Sequence, residues 1–348
     1  MSAPAAPPER TARHQLRDVG AALLWATGVT RPWLRARSAL TIVTFHRVLP
    51  PEDLAAAPLP GLCVTPQFLD GALAFFARHY RCLALSDAVR ALAAGPRGRP
   101  LLAVSFDDGR ADGFAHARPL LAKHRVPATF YAVADAVDAA EPLWPDAIAL
   151  EVQALAARGA EGRSAIGAVF GAPIPDETPS AALPKRAANL AKAWPSARIE
   201  LALARLREAS GGAPIPSWER AMSWGELAQL AGEGHEIGSH SASHAILLRE
   251  CVPDFAAEVA GSKRTLEARL GVPVRSFCYP SGLYDDAALE AVAATGYENA
   301  TTTLPGKNRR GASPFELRRL DIDGVLNARR DGTASPSVLA WRLARARA

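Results

Sequence analysis

The sequence predicts an α/β protein, a (β/α) barrel of seven or eight units with a helical insertion, and three observations carry that prediction. From Leu40 onward, short apolar runs rich in β-branched and aromatic residues alternate with segments of helical periodicity, the order expected of parallel strands joined by crossover helices. Between Glu141 and Pro216 this rhythm gives way to Ala-rich helical sequence punctuated at Gly171–Pro179 and Gly211–Pro216. The polar residues with catalytic chemistry fall at the C-terminal ends of apolar runs, and in a barrel those ends share one face.

In chain order, residues 1–39 read as a tail and a helix. Met1–Glu9 is Pro/Ala-rich without a core-forming pattern. Ala21–Val29 follows Arg10, Arg13 and Arg17 but is broken by Thr27 and Gly28, and no cleavage-site pattern precedes Pro32, so it reads as a buried helix. The barrel domain is expected over 40–330. Strands are placed at Leu40–Phe45, Arg81–Leu85, Leu101–Phe106, Ala128–Val133, Glu236–Ser239, Val274–Tyr279, Tyr297–Thr302 and Leu317–Ile322. Helices fall at Pro66–His79, where Phe68, Leu69, Leu73 and Phe76 form one stripe, and at Ser86–Ala94, Ala111–Lys123, Trp224–Glu233, Asp254–Leu270 and Asp285–Thr295. Ser86 and Ser223 are expected N-caps, and Gly271 and Gly296 stand where C-terminal stop residues would. The insertion spans about 141–221 and either packs outside the barrel or covers a site. A basic helix over 331–348 ends the sequence.

Composition narrows the class. Hydrophobic residues make up 49% and charged residues 22%, enough for a sizeable core and inconsistent with a disordered chain. No apolar run approaches the ~18–20 residues of a membrane span. Net charge is +5, partly from Arg31, Arg35 and Arg37 early and Arg342, Arg345 and Arg347 late, which would suit peripheral contact with an anionic membrane surface. No aromatic-interleaved basic stripe accompanies that charge, so nucleic acid is not an expected partner. Cys63, Cys82, Cys251 and Cys278 form no C-x-x-C pair and indicate neither a zinc knuckle nor a dense disulfide framework. With no recognisable signal peptide, the expected location is cytoplasmic, with membrane contact only through the basic termini.

The strand ends concentrate the chemistry. His46 ends the first strand, Asp107-Asp108-Gly109 ends the Leu101 strand, His240 ends the Glu236 strand with His244 four positions on, and Tyr279-Pro280 ends the Val274 strand. The His240/His244 spacing puts two imidazoles one helical turn apart on one face, as a transition metal requires, and one carboxylate would complete the set. Two His and one carboxylate leave coordination positions open for water and substrate. Neighbours on a strand point to opposite sides, so Asp107 and Asp108 take different jobs unless the turn before Gly109 swings both inward.

Ser105-Phe-Asp-Asp-Gly109 together with His240-Ser-x-x-His244 resembles the NodB-homology polysaccharide deacetylases of carbohydrate esterase family 4, over about Leu40 to Asp323. The resemblance implies an irregular (β/α) barrel that removes N-acetyl groups from amino sugars with a divalent metal, usually Zn²⁺. It implies Asp107 as general base and Asp108, His240 and His244 as metal ligands. Two departures stand out. The third family motif, Arg-Pro-Pro-Tyr-Gly, reads Cys278-Tyr-Pro-Ser-Gly282, so the arginine that orients the base is missing there, and no histidine follows His244 to act as general acid. Thr44-Phe-His-Arg-Val48 and Tyr279-Pro-Ser-Gly282 resemble instead a permuted subgroup, similar to poly-N-acetylglucosamine deacetylases, whose acid histidine comes first. That ordering implies His46 as general acid and the Tyr279, Pro280, Ser281 turn as the source of an oxyanion N–H. Arg318-Arg319-Leu320 resembles the subgroup's closing strands, with no role implied for either arginine.

The implied substrate is an N-acetylated glycan or a lipid-linked glycan precursor. Rival readings are an N-acyl or cyclic-amide hydrolase on a non-sugar substrate and a non-catalytic sugar-binding protein of the same fold. A two-carboxylate glycosidase is disfavoured because Asp107 and Asp108 are adjacent, and an iron oxygenase because only the ligand set supports it.

Overall fold

The computed structural model describes residues 12–30, 38–175, 177–248, 251, 254–329 and 331–347; the expectations for Met1–Glu9, Arg10, Arg31, Arg35 and Arg37 lie outside them. Seven parallel strands close into a barrel: β1 (Ala39–Phe45), β2 (Leu101–Phe106), β3 (Ala128–Ala132), β4 (Glu236–Ser239), β5 (Ser276–Cys278), β6 (Asn299–Pro305) and β7 (Leu317–Asp321). Their order around the ring is β1-β7-β6-β5-β4-β3-β2, and six consecutive pairs between β1 and β2, from Leu40↔Leu101 to Phe45↔Phe106, close it. The ring is thinnest between β4 and β5, which meet at Ser239↔Phe277.

The two-residue period of a strand builds two cores and, between them, the site. Val43, Phe45, Val104, Phe106, Phe130 and Phe277 face outward and pack against helices such as Pro66–His79. Leu40, Ile42, Leu101, Ala103, Tyr131, Cys278 and Leu317 face inward and fill the barrel. Continuing the inward row of β1 and β2 by that period leads to His46 and Asp107. Gly238 on β4 has to lack a side chain, because a Cβ there would lie 2.5 Å from the Tyr131 ring.

The strand expected at Arg81–Leu85 shrinks to Arg81–Cys82 and lies outside the ring beside β2. Its end is consumed by the helix Leu85–Ala93, whose Leu85, Ala88 and Leu92 plug the barrel interior. Ser86 is consequently not an N-cap; Ala84 occupies that position, and the Ser86 N–H and hydroxyl both donate to Glu236. Ser223 does cap its helix, in a reciprocal capping box with Glu226. Gly271 and Gly296 take the left-handed conformation past their helices, at φ 67° and 83°. The helices expected at Ala111 and Asp254 each begin with a π-helical turn, Gly113–Ala117 and Ala256–Gly261, before the α segments Arg118–His124 and Ser262–Leu270.

The stretch without strand character folds as four helices, Trp144–Ala156, Ala160–Phe170, Leu183–Ala191 and Ser196–Ser210. They share a core of their own built on Ile148, Val152, Leu155, Ile166, Leu183 and Leu206. The last helix, Pro336–Arg345, packs on the first, Ala12–Ala26. Arg342 is not free for a membrane surface: it donates to Asn327 and to the Asp321 carbonyl. No helix among the described residues is long and apolar enough to cross a membrane.

Candidate active site

At the C-terminal end of the barrel the expected residues come together. Asp107, buried at the end of β2, anchors its own N–H on the Phe45 carbonyl at 3.0 Å. Its two carboxylate oxygens accept from Arg319, Nη1 to Oδ1 at 2.7 Å and Nη2 to Oδ2 at 2.8 Å. Arg319 is itself buried and fully engaged, with Nε donating to the Thr302 carbonyl at 2.8 Å, Nη1 to Thr44 Oγ1 at 3.0 Å and Nη2 to Cys278 Sγ at 3.3 Å. It therefore supplies the guanidinium that the third motif lacks, and Cys278 fills the space beside it. Arg319 follows Leu317 on the inward row of β7, while Leu320 joins the outer core; its partners Asp107, Thr302 and Cys278 all lie on other segments, so the sequence of β7 alone gives it no role.

His46 is placed with Nε2 3.8 Å from Asp107 Oδ2 and its side chain 21% exposed, while its Nδ1 is buried with no hydrogen-bond partner among the described residues. Asp108 adopts φ 71° and Gly109 φ 63°, and this left-handed turn brings the second carboxylate onto the same face as the first. Asp108 Oδ1 lies 3.4 Å from Nε2 of both His240 and His244.

The two histidines are not on a helix. β4 ends at Ser239 and the chain turns with Ser241 at φ 66° and His244 at φ 61°, bringing the ring centroids to 4.9 Å. Glu258 imposes this path: its carboxylate accepts from the Ala242 and Ser243 N–H groups at 3.1 and 3.0 Å and from the Ser243 hydroxyl at 2.6 Å.

These residues fit a divalent ion. The ligand atoms of Asp108, His240 and His244 lie within 4.8 Å of one another, and His240 Nδ1 donates to the Cys278 carbonyl at 2.7 Å, fixing the ring with Nε2 toward Asp108. Asp107, His240 and Cys278 form an equally compact group, but Arg319 already neutralises its carboxylate and contacts its sulfur, so a second cation has no place there. Burial would raise the Asp108 carboxyl, but hydrogen bonds from His240 and His244 hold it well below the usual carboxylate range. Burial likewise opposes ionisation of Asp107, and the Arg319 guanidinium, with help from His46, outweighs it and leaves the group low.

Of the three residues expected to offer an oxyanion donor, Tyr279 spends its N–H on the Thr301 carbonyl at 3.2 Å and Pro280 has none. Only the Ser281 N–H of the three is left, in a turn with Ser281 at φ 56° and Gly282 at φ 68°. A side chain at Gly282 would meet Thr303 Oγ1 at 2.1 Å. The Tyr279 ring belongs to the outer core, stacked on Tyr284 at 4.3 Å.

The insertion reaches this site. Trp144, at its start, donates from Nε1 to the His244 carbonyl at 3.0 Å. Lys192, at the end of Leu183–Ala191, is half-buried, and burial depresses its ammonium against the attraction of Asp108. Neither residue stood out in the sequence, since both lie in a stretch without strand rhythm.

Residues 94–164 and 204–300 match the polysaccharide deacetylase family. A Bacillus subtilis (strain 168) protein named as a polysaccharide deacetylase, YxkH, is 28% identical over 97 residues, covering 28% of this chain and 35% of that protein. The chain thus spans about a third of the length of this curated relative. Among solved structures, the Streptococcus pyogenes deacetylase PplD in complex with acetate superposes with a TM-score of 0.56 at 19% identity, over 88% of this chain and 98% of its own. IcaB from Ammonifex degensii superposes with a TM-score of 0.56 at 18% identity, over 88% and 97%. At these identities the structural likeness establishes the fold.

Proposed function

The chain carries a polysaccharide deacetylase domain, and from that premise we propose that it hydrolyses N-acetyl groups on the amino sugars of a glycan or lipid-linked glycan precursor. The observation that carries the reading is the juxtaposition of two carboxylates in different settings: Asp107 clamped by Arg319 with His46 alongside, and Asp108 grouped with two imidazoles. A divalent ion held by Asp108, His240 and His244, for which Zn²⁺ best suits a mixed imidazole and carboxylate set, supplies Lewis acidity toward the acetyl carbonyl and toward water.

The protein's own groups do the rest. Asp107, kept ionised by Arg319, takes a proton from the attacking water. The Ser281 N–H faces charge developing on the carbonyl oxygen, where a preorganised donor acts most strongly. His46 protonates the departing amine, which is too basic to leave as an anion. The insertion, through Trp144, closes one side of the site. The peripheral membrane contact expected of the basic termini would serve a lipid-linked substrate.

Incubating zinc-loaded protein with neutral N-acetylated oligosaccharides and with lipid-linked precursors, followed by mass spectrometry and acetate assay, tests the reading. Acetate release with a matching free amine is expected; a bound but unaltered glycan would leave a sugar-binding protein instead.

A further inference from the structure

Outside the reacting groups, the densest charge cluster among the described residues is buried between the barrel and the insertion. Arg47 directly follows His46, and Arg110 directly follows Asp107-Asp108-Gly109. Both guanidinium groups are buried, at 4% and 2% exposure, and both converge on one oxygen, Oε1 of Glu219: Arg110 Nη1 donates at 2.7 Å and Arg47 Nη2 donates alongside. Asp146 spans the same two arginines, with Oδ1 3.8 Å from Arg47 Nη2 and Oδ2 accepting from Arg110 Nη2. Asp112 accepts from Arg47 Nη1 at 3.2 Å and from the Val48 N–H at 2.8 Å. The segment that carries Glu219 is itself bonded to the Asp-Asp-Gly turn, Met222 N–H to the Gly109 carbonyl at 2.8 Å and Ala111 N–H to the Arg220 carbonyl at 3.0 Å.

Two buried arginines and three buried carboxylates are costly to desolvate, and apolar packing would hold two elements together at less expense. What such a cluster provides is registry, and the registry here is between two particular strand ends. His46 needs it: among the described residues no group hydrogen-bonds its Nδ1, so the place of the imidazole depends on the backbone on either side. We propose that Glu219 is a positioning residue that ties the strand end bearing His46 to the turn bearing Asp107 and Asp108, and so holds His46 Nε2 at its 3.8 Å from Asp107. The inference rests on the reading of His46 as the acid. It gives the insertion a second role, because Asp146 at its start and Glu219 beyond its last helix both enter the clamp.

The test compares kcat and KM of the full zinc-loaded chain on an N-acetyl sugar and on an aryl acetate, whose leaving group scarcely needs a proton. Glu219→Ala is expected to lose ~10²-fold in kcat on the amide, the usual cost of an ångström-scale misplacement, with far less loss on the ester and with KM and zinc content unchanged. Glu219→Gln keeps an acceptor for both arginines and should recover most of the amide rate. Equal losses on both substrates, or a wild-type amide rate in Glu219→Ala, would overturn the proposal. Should Glu219→Ala fail to fold, Glu219→Asp, which draws the shared acceptor back by one methylene, decides in its place: an amide-selective loss supports the clamp, and an unselective loss or none contradicts it. His46→Ala on the same substrate pair separates the two layers. A selective loss there without one at Glu219 removes the positioning role alone, and no selective loss at His46 removes both.

Discussion

Arg319 on β7 and Asp107 at the end of β2, 212 residues apart, share a two-pronged ion pair of 2.7 and 2.8 Å inside the barrel. The motif position that would carry this arginine holds Cys278, whose sulfur lies 3.3 Å from the same guanidinium. The charge stands two strands round the barrel from that position, on β7 with β6 between, while the carboxylate it pairs with keeps the place the motif gives it.

Removing the guanidinium should be costly twice over. Arg319→Ala leaves a buried carboxylate uncompensated, a loss of roughly 3–5 kcal/mol in stability for an isolated pair, and it lets the Asp107 carboxyl rise. Turnover should fall ~10²-fold or more as the base loses its orientation, with zinc content unchanged. Adding Cys278→Arg to that variant should restore part of both, since the new side chain starts from a position adjoining the vacated space. Thermal melts and steady-state rates on the single and double variants check this; a double variant no better than the single would mean that the two positions are not interchangeable.

Asp107→Asn should bind zinc as tightly as the native chain and lose most turnover, because the carboxylate acts on water and not on the ion. Metal analysis beside acetate assays reads both. Retained turnover would assign the base elsewhere.

The same substitution has a pH signature in metal-free protein. The folded Asp107 carboxyl lies below its ordinary value of ~3.9. Its contribution to stability is therefore present above that value and is lost as pH falls through the still lower folded one. Native protein should lose stability more steeply than Asp107→Asn in melts taken below pH ~4, and the two curves should run parallel above it. Parallel curves throughout would mean that Arg319 does not hold the carboxyl low.

Gly282→Ala should damage the oxyanion turn without touching the ion. Its φ of 68° disfavours a side chain, and the added Cβ would press on Thr303 Oγ1 at 2.1 Å, so the Ser281 N–H must shift. A loss of ~10²–10³-fold in kcat with normal zinc content is expected; a native rate would place the oxyanion donor elsewhere.

The sequence disclosed whatever depended on short-range pattern. Strand periodicity carried His46 and Asp107 into the barrel, and the Asp-Asp-Gly and His-Ser-x-x-His spellings marked the face on which they meet. Three features could not be read that way. Arg319 is held by Asp107, Thr302 and Cys278, partners on other strands that the sequence of β7 does not disclose. The His240–His244 spacing looks helical, yet the chain there turns through left-handed residues, Ser241 and His244, and Glu258 on another segment holds the loop amides. The Arg47, Arg110, Asp146 and Glu219 cluster draws on separated segments, each charge looking like an ordinary surface residue until the fold brings them together. In each case the deciding interaction is tertiary, and no local window of sequence contains both partners.

What is proposed of these residues is hydrolysis of an N-acetyl group on an amino sugar. Its most direct measurement is acetate and free-amine formation from an N-acetylated oligosaccharide, with native protein and Asp107→Asn compared at equal zinc occupancy. Acetate and amine in equal amounts are expected from the native chain and almost none from the variant. Unchanged oligosaccharide with the zinc-loaded native protein, or equal product from both, would contradict it.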